Sequence, residues 1–140
     1  MHDVKRPVIC VSGGADPVHK GHIDMIEHAS AFGSVVWILN SDEWLARKKD
    51  FQFMDFEHRK RILLSLRDIA GVSAVDDSDG TVCEALRRIK PDYFANGGDR
   101  TESNTPELQL CKELGIKPLF NIGGGKKASS SELVSAIKKA

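Results

Sequence analysis

Residues 8–22 read VICVSGGADPVHKGH, and the order of residue types in that stretch decides the kind of fold. The apolar run at 8–11 has the length and β-branched content of a buried strand. Gly13 and Gly14 break it, after which Ile23, Ile26 and Ala29 recur at helical spacing and predict a helix over 20–32, capped by Gly33. A buried strand, a glycine turn and a helix in immediate succession is the opening unit of a parallel sheet covered by helices.

The alternation continues along the chain. Strands are predicted at 35–39, 72–75, 93–95 and 117–122, and helices at 56–69, 81–89, 106–114 and 132–139. Asp55 is placed to cap the second helix, whose Ile62, Leu63, Leu66 and Ile69 make an apolar face. Pro91 ends the third, Pro106 opens the fourth, Gly115 closes it, and Ser129, Ser130 and Ser131 precede the last. Residues 44–53 read as a basic, irregular connection carrying Arg47, Lys48 and Lys49. These elements predict one α/β domain over 1–140, a Rossmann-like doubly wound five-stranded parallel sheet with helices on both faces. Ligands of such a sheet bind outside the carboxyl ends of its strands.

With 140 residues, one core is the expectation. Twenty basic and twenty acidic side chains cancel, which removes the broad positive field that a nucleic-acid or anionic-membrane binder uses. No apolar run reaches membrane-spanning length and the first residues do not follow a signal-peptide pattern, so the cytoplasm is the expected location. Cys10, Cys83 and Cys111 lack CxxC spacing and lie in apolar segments, as buried reduced thiols do.

Three strand ends share one chemistry. The first ends in GGADPVHKGH, the fourth in NGGDR and the fifth in GGGKKASSS: glycines that let backbone approach a ligand, followed by groups that donate to anions. His19 and His22 are three apart where loop becomes helix, so both imidazoles fit on one face of its first turn. Cationic donors at that position would stabilise the charge that builds up when an α-phosphorus is attacked and pyrophosphate leaves, with no covalent intermediate.

A strand followed by G-G-x-D-P-x-H-x-G-H resembles the HxGH signature of the cytidylyltransferase-like nucleotidyltransferase superfamily. NSDEWLARKK at 40–49 is similar to the second-strand loop of glycerol-3-phosphate cytidylyltransferases and heptose-1-phosphate adenylyltransferases, and FEHRKRILLSLRDIAGV at 56–72 to the helix that follows in both. NGGDR at 96–100 resembles the GGD loop of the heptose enzymes, and ASSSELVSAI at 128–137 the ISTT-type segment of either. Ala15 stands where the family has an aromatic, and a glycine stands where the glycerol-phosphate enzymes have an arginine, with Lys126 and Lys127 just beyond it.

The resemblance implies a nucleotidyltransferase that moves a nucleoside monophosphate from CTP or ATP to a small phosphorylated polyol or sugar and releases pyrophosphate. His19 and His22 would be the transition-state stabilisers and Lys48 would neutralise phosphate. Gly13, Gly14, Ala15, Asp16, Gly97, Gly98, Asp99, Ser129, Ser130 and Ser131 would line the nucleotide site, and Asp42, Lys48, Arg67 and Lys126 the acceptor site. Magnesium is expected to arrive with the triphosphate, without protein side chains as its ligands, and a homodimer is expected because related enzymes are commonly dimers. Two other readings stay open: a nucleotide-binding regulatory protein that has lost the chemistry, and adenylyl transfer to a nicotinamide mononucleotide or phosphopantetheine acceptor.

Other conspicuous residues have plainer expectations. A solvated face accounts for Arg59, Lys60 and Arg61, helix capping for Asp76, Asp77 and Asp79, packing for Trp37 and Trp44, and surface or packing roles for His2, His28 and His58.

Overall fold

The computed structural model describes residues 6–48, 51–95, 105–120 and 122–123. Strands and helices alternate: β1 (Val8–Gly13), α1 (Lys20–Ser30), β2 (Ser34–Leu39), α2 (Asp42–Lys48), α3 (Phe56–Leu64), β3 (Ile69–Ser73), α4 (Cys83–Ile89), β4 (Tyr93–Ala95), α5 (Thr105–Leu114) and β5 (Lys117–Leu119). The five strands form one sheet in the order β3-β2-β1-β4-β5, and every pairing is parallel. The order reverses at β1, which lies between β2 and β4. Crevices open at such a reversal, on the carboxyl side of the strands.

Strand periodicity sends alternate residues of β1 to opposite faces. Ile9 and Val11 pack into a cluster with Ile26 and Ala29 of α1 and Leu63 of α3. Cys10 points the other way, among Ala85 and Leu86 of α4 and Leu110 and Cys111 of α5. Helices therefore cover both faces, and all three cysteines are buried and unbridged. Among the described residues, no helix is long and apolar enough to cross a membrane.

Several local expectations are corrected. Residues 42–48 are helical, although an irregular connection was expected over 44–53: Asp42 and Glu43 occupy the first turn, Arg47 and Lys48 the last, and Ser41 Oγ accepts from the Trp44 N–H at 3.0 Å. Only Leu45 of this helix is buried, so it carries no apolar stripe to betray it. Asp55 does cap α3, accepting from the His58 N–H at 3.0 Å, but the helix ends at Leu64 and Ile69 opens β3. Ile62 is on the exposed side of α3, and the inward stripe is Phe56, Arg59 and Leu63.

Gly33 is not the helix cap. Ala31 holds that position in right-handed conformation, and glycine is required at 33 because a Cβ would lie 2.3 Å from the Pro7 carbonyl oxygen. Gly115, by contrast, closes α5 at φ 74°, as expected. The expected last helix, 132–139, lies outside the described residues.

Candidate active site

His19 and His22 sit where the loop after β1 becomes α1. His19 is the N-cap: its Nδ1 accepts from the Gly21 N–H at 3.0 Å, while His22 Nδ1 accepts from the His19 N–H at 3.1 Å, which closes a reciprocal capping box. The two rings stack with centroids 4.0 Å apart. A ring nitrogen that accepts carries no hydrogen, so each imidazole has its N–H on Nε2. The capping bonds thus make Nε2 the donating position of each ring.

The first-turn amides of α1 are already engaged, since Gly21 donates to the His19 ring and His22 and Ile23 donate to the His19 carbonyl. What this helix end presents beyond its own first turn is therefore imidazole and not backbone amide. Trp37 of β2 braces the pair from below. Its indole N–H donates to the Gly13 carbonyl at 3.1 Å, and its ring meets the His22 ring edge-on at 5.5 Å between centroids.

A buried polar network fixes the loops around the histidines. Arg59 reaches up from α3 with 1% of its surface exposed. It donates to the carbonyls of Gly14 (2.8 Å), Asn40 (2.9 Å) and Met54 (3.1 Å) and to Asp42 Oδ1 (2.7 Å). One guanidinium thus ties the end of β1, the end of β2, the start of α2 and the segment before α3. A buried charge of this kind is tolerated because a carboxylate and three carbonyls replace its water.

Asp16 is equally buried and accepts from the amides of Phe53 (2.8 Å) and Met54 (3.0 Å). Asp77 accepts from Asn40 Nδ2 (3.0 Å), the Ser41 amide (2.9 Å) and the Ser41 hydroxyl (2.6 Å), so the loop after β3 is bonded to the end of β2. The expectation that Asp77 caps α4 is corrected, because the cap position is Val82 without a side-chain bond. Asp76 and Asp79 close local turns onto Ser78 and Thr81.

The expected site residues divide into three groups. Gly13, Gly14, Ala15, Asp16, His19, His22, Asp42 and Lys48 are brought to the carboxyl end of β1 and β2. Ala15 is 3% exposed, with a left-handed φ of 52°, and a Cβ at Gly14 would lie 2.7 Å from Leu45 Cδ2, so that Leu45 would have to shift. Lys48 ends α2, with its ammonium 5.6 Å from the Trp44 ring centroid. Arg67 is elsewhere. It precedes β3 at the amino end of the sheet, with its side chain 86% exposed beside Glu27 and Asp68 at 4.0 and 3.9 Å. Gly97, Gly98, Asp99, Lys126, Ser129, Ser130 and Ser131 lie outside the described residues.

Arg59 is the residue that the charge pattern concealed. It sits in the run EHRKR, which reads as a solvated face, yet 56, 59 and 63 stand at helical spacing on the stripe that meets the sheet. That spacing was the available signal. His28 also does more than pack, since its Nδ1 accepts from the Gly123 amide at 3.0 Å and fastens the segment after β5 to α1.

The chain is similar to the bifunctional protein HldE of Gluconobacter oxydans (strain 621H), 31% identical over 137 residues that make up 95% of this chain and 28% of that protein. It is 26% identical to the D-beta-D-heptose 1-phosphate adenylyltransferase of Bordetella bronchiseptica, over 79% of this chain and 69% of that one. The FAD synthase of Ferroglobus placidus is also 26% identical, over 78% and 70%. The chain thus spans little more than a quarter of the HldE protein.

In fold it is similar to the lipopolysaccharide core biosynthesis protein from Thermoplasma volcanium GSS1, with TM-score 0.68 at 19% identity, over 82% of this chain and 95% of that one. Residues 10–123, from the middle of β1 to the segment that His28 holds, match the cytidylyltransferase-like family model, and the chain belongs to that family.

Proposed function

We propose that this chain transfers a nucleoside monophosphate from a nucleoside triphosphate to a small phosphorylated polyol or sugar and releases pyrophosphate. The observation that carries the reading is the reciprocal capping of His19 and His22, which fixes two Nε2–H donors side by side at the carboxyl end of the central strand. Their natural partner is an oxygen-rich anion whose charge grows during reaction.

The acceptor's phosphate oxygen attacks the α-phosphorus, the bond to the bridging oxygen breaks, and the electron pair leaves with pyrophosphate. An acceptor phosphate is already ionised near neutral pH, so no protein group is assigned as general base. His19 and His22 hold the non-bridging and departing oxygens, and Lys48 neutralises phosphate from the end of α2. Asp42, whose Oδ1 is pinned by Arg59 and Gln52, faces the acceptor. Asp16 acts through the segment that it anchors. Arg67 has no part in this reading.

Among the described residues, no group of three or more histidines, cysteines or carboxylates is placed to hold a metal. Both Asp16 oxygens already receive backbone amides. Magnesium enters this reading as part of the triphosphate. The Bordetella bronchiseptica relative is named an adenylyltransferase of a heptose 1-phosphate, which favours ATP over CTP and a sugar phosphate over other acceptors. The cytoplasm and a homodimer belong to the same reading.

The test is pyrophosphate release from each of the four triphosphates against a panel of sugar and polyol phosphates, with calorimetric titration of the triphosphate alongside. His22→Ala should lower turnover by about 10²–10³-fold while triphosphate affinity changes little. Near-normal turnover in that variant, or saturable triphosphate binding with no pyrophosphate from any pairing, overturns the assignment.

A further inference from the structure

The segment FQFM at 51–54 combines tight anchoring with an apolar outer surface. Its backbone is fixed by the Asp16 carboxylate, which receives the Phe53 and Met54 amides, and by Gln52, whose Nε2 donates to Asp42 Oδ1 and the Met54 carbonyl, both at 2.8 Å. Phe51 and Phe53 nevertheless leave 43% of their surface exposed, with ring centroids 4.4 Å apart at 64°. Their exposure alternates with the half-buried Gln52 and Met54. Two aromatic rings, on a segment that Asp16 and Asp42 hold beside the polar network, thus form an exposed apolar surface.

Topology says on which side of β1 the segment lies. The nucleotide in a doubly wound sheet sits where strand order reverses, here between β1 and β4. Segment 51–54 belongs to the crossover from β2 to β3, on the other side of β1, together with Asp42 and Lys48. That side is left for the acceptor. A cyclic sugar offers a face of C–H groups that lies flat on an aromatic ring, while its hydroxyl edge reaches polar neighbours. A three-carbon open-chain polyol has no such face.

We propose that Phe51 and Phe53 form an aromatic acceptor subsite that packs against the ring of a cyclic sugar phosphate and selects it over a short open-chain one. The proposal rests on the nucleotidyltransferase reading, and its test separates the two. Turnover of glucose 1-phosphate and of glycerol 3-phosphate with ATP is compared in the wild type, in Phe51→Ala/Phe53→Ala and in Phe51→Tyr/Phe53→Tyr. The dissociation constant of glucose 1-phosphate is measured by calorimetry in the presence of a non-transferable ATP analogue.

In the alanine variant the ratio of kcat/KM for the sugar to that for the polyol should fall about tenfold, through KM, and the tyrosine variant should keep the wild-type ratio. The subsite is overturned by an unchanged ratio, by equal losses for both acceptors, by a wild type that prefers glycerol 3-phosphate, or by a tyrosine variant as impaired as the alanine one. If no acceptor yields pyrophosphate, the enzymatic reading falls and the titration decides the subsite. Tenfold weaker sugar binding in the alanine variant then supports it, and unchanged binding ends it.

Discussion

The two ends of the parallel sheet are built from opposite materials. Among the described residues, the buried polar side chains are Asp16, Asn40, Arg59 and Asp77, and all four lie in the network at the carboxyl ends of β1, β2 and β3. The amino end has surface contacts: Arg67 is nearly free of the fold, and the Asp92 carboxylate accepts the Val8 amide in an exposed bond. Burying charge is costly unless every polar atom is partnered. No buried side-chain nitrogen or oxygen among the described residues lacks a partner. The fold accepts that cost at the end where the proposed site lies.

Arg59 is where the contrast can be broken most directly. Replacing it with methionine keeps the apolar stem but leaves three carbonyls and Asp42 without their shared donor, which should cost about 3–5 kcal/mol in denaturant unfolding. Lysine should recover only part of this, because one ammonium cannot reproduce the planar fork. A loss below about 1 kcal/mol would mean that the network is ornamental and the two ends are energetically alike.

The same residue shows how far the sequence could be read. The alternation of buried runs and helical periods made the parallel sheet legible, and 93–95 was placed with the bounds that β4 has. The histidine pair was legible because HKGH fixes its spacing on a helix start. Arg59 and Asp77 were not, since charge in a helix or beside a turn defaults to solvent or capping. Their roles depend on partners 45 and 36 residues away, Gly14 and Ser41. Helix α2 stayed hidden for a different reason: with Leu45 alone inward, its signal is in the charges at its ends.

Asp16 sharpens the comparison at the next scale. Asp16→Asn keeps the shape but turns an N–H donor toward an amide that needs an acceptor, at a cost of about 1–3 kcal/mol. The effect should be local. Hydrogen exchange at the Phe53 and Met54 amides should accelerate well beyond what global stability explains, and unaltered protection at both would remove Asp16 as the anchor of that segment.

Cys10 tests the face of β1 turned away from the histidines' cluster. Burial, with Cys111 adding to it, pushes its thiol up to about 12 from an ordinary 9.0, and burial likewise pushes Cys111 to about 11. A folded pKa above the unfolded one gives stability that is complete below about 9 and lost as pH climbs toward the folded values. Cys10 alone should remove on the order of 1 kcal/mol by pH 10, a loss that Cys10→Ala should suppress in unfolding curves taken at pH 8 and pH 10. Equal slopes with pH in both proteins would show that this face is less sealed than the packing of Cys10 against α4 and α5 requires.

Arg67 carries the smallest expected effect and the sharpest control. Its partners stand at 3.9 and 4.0 Å on an exposed surface, where ion pairs contribute little, so Arg67→Ala should change stability by no more than about 0.5 kcal/mol. The family resemblance gives this position an acceptor role, whereas the fold sets it before β3, at the sheet's amino end, with Glu27 from the last part of α1. Acceptor KM should therefore be unchanged in Arg67→Ala. A KM raised tenfold, with the unfolding curve unmoved, would require that the arginine meet a substrate held by another copy of the chain. The variant's KM would then depend on protein concentration through assembly, a dependence that sedimentation and kinetics measured on the same dilution series would register.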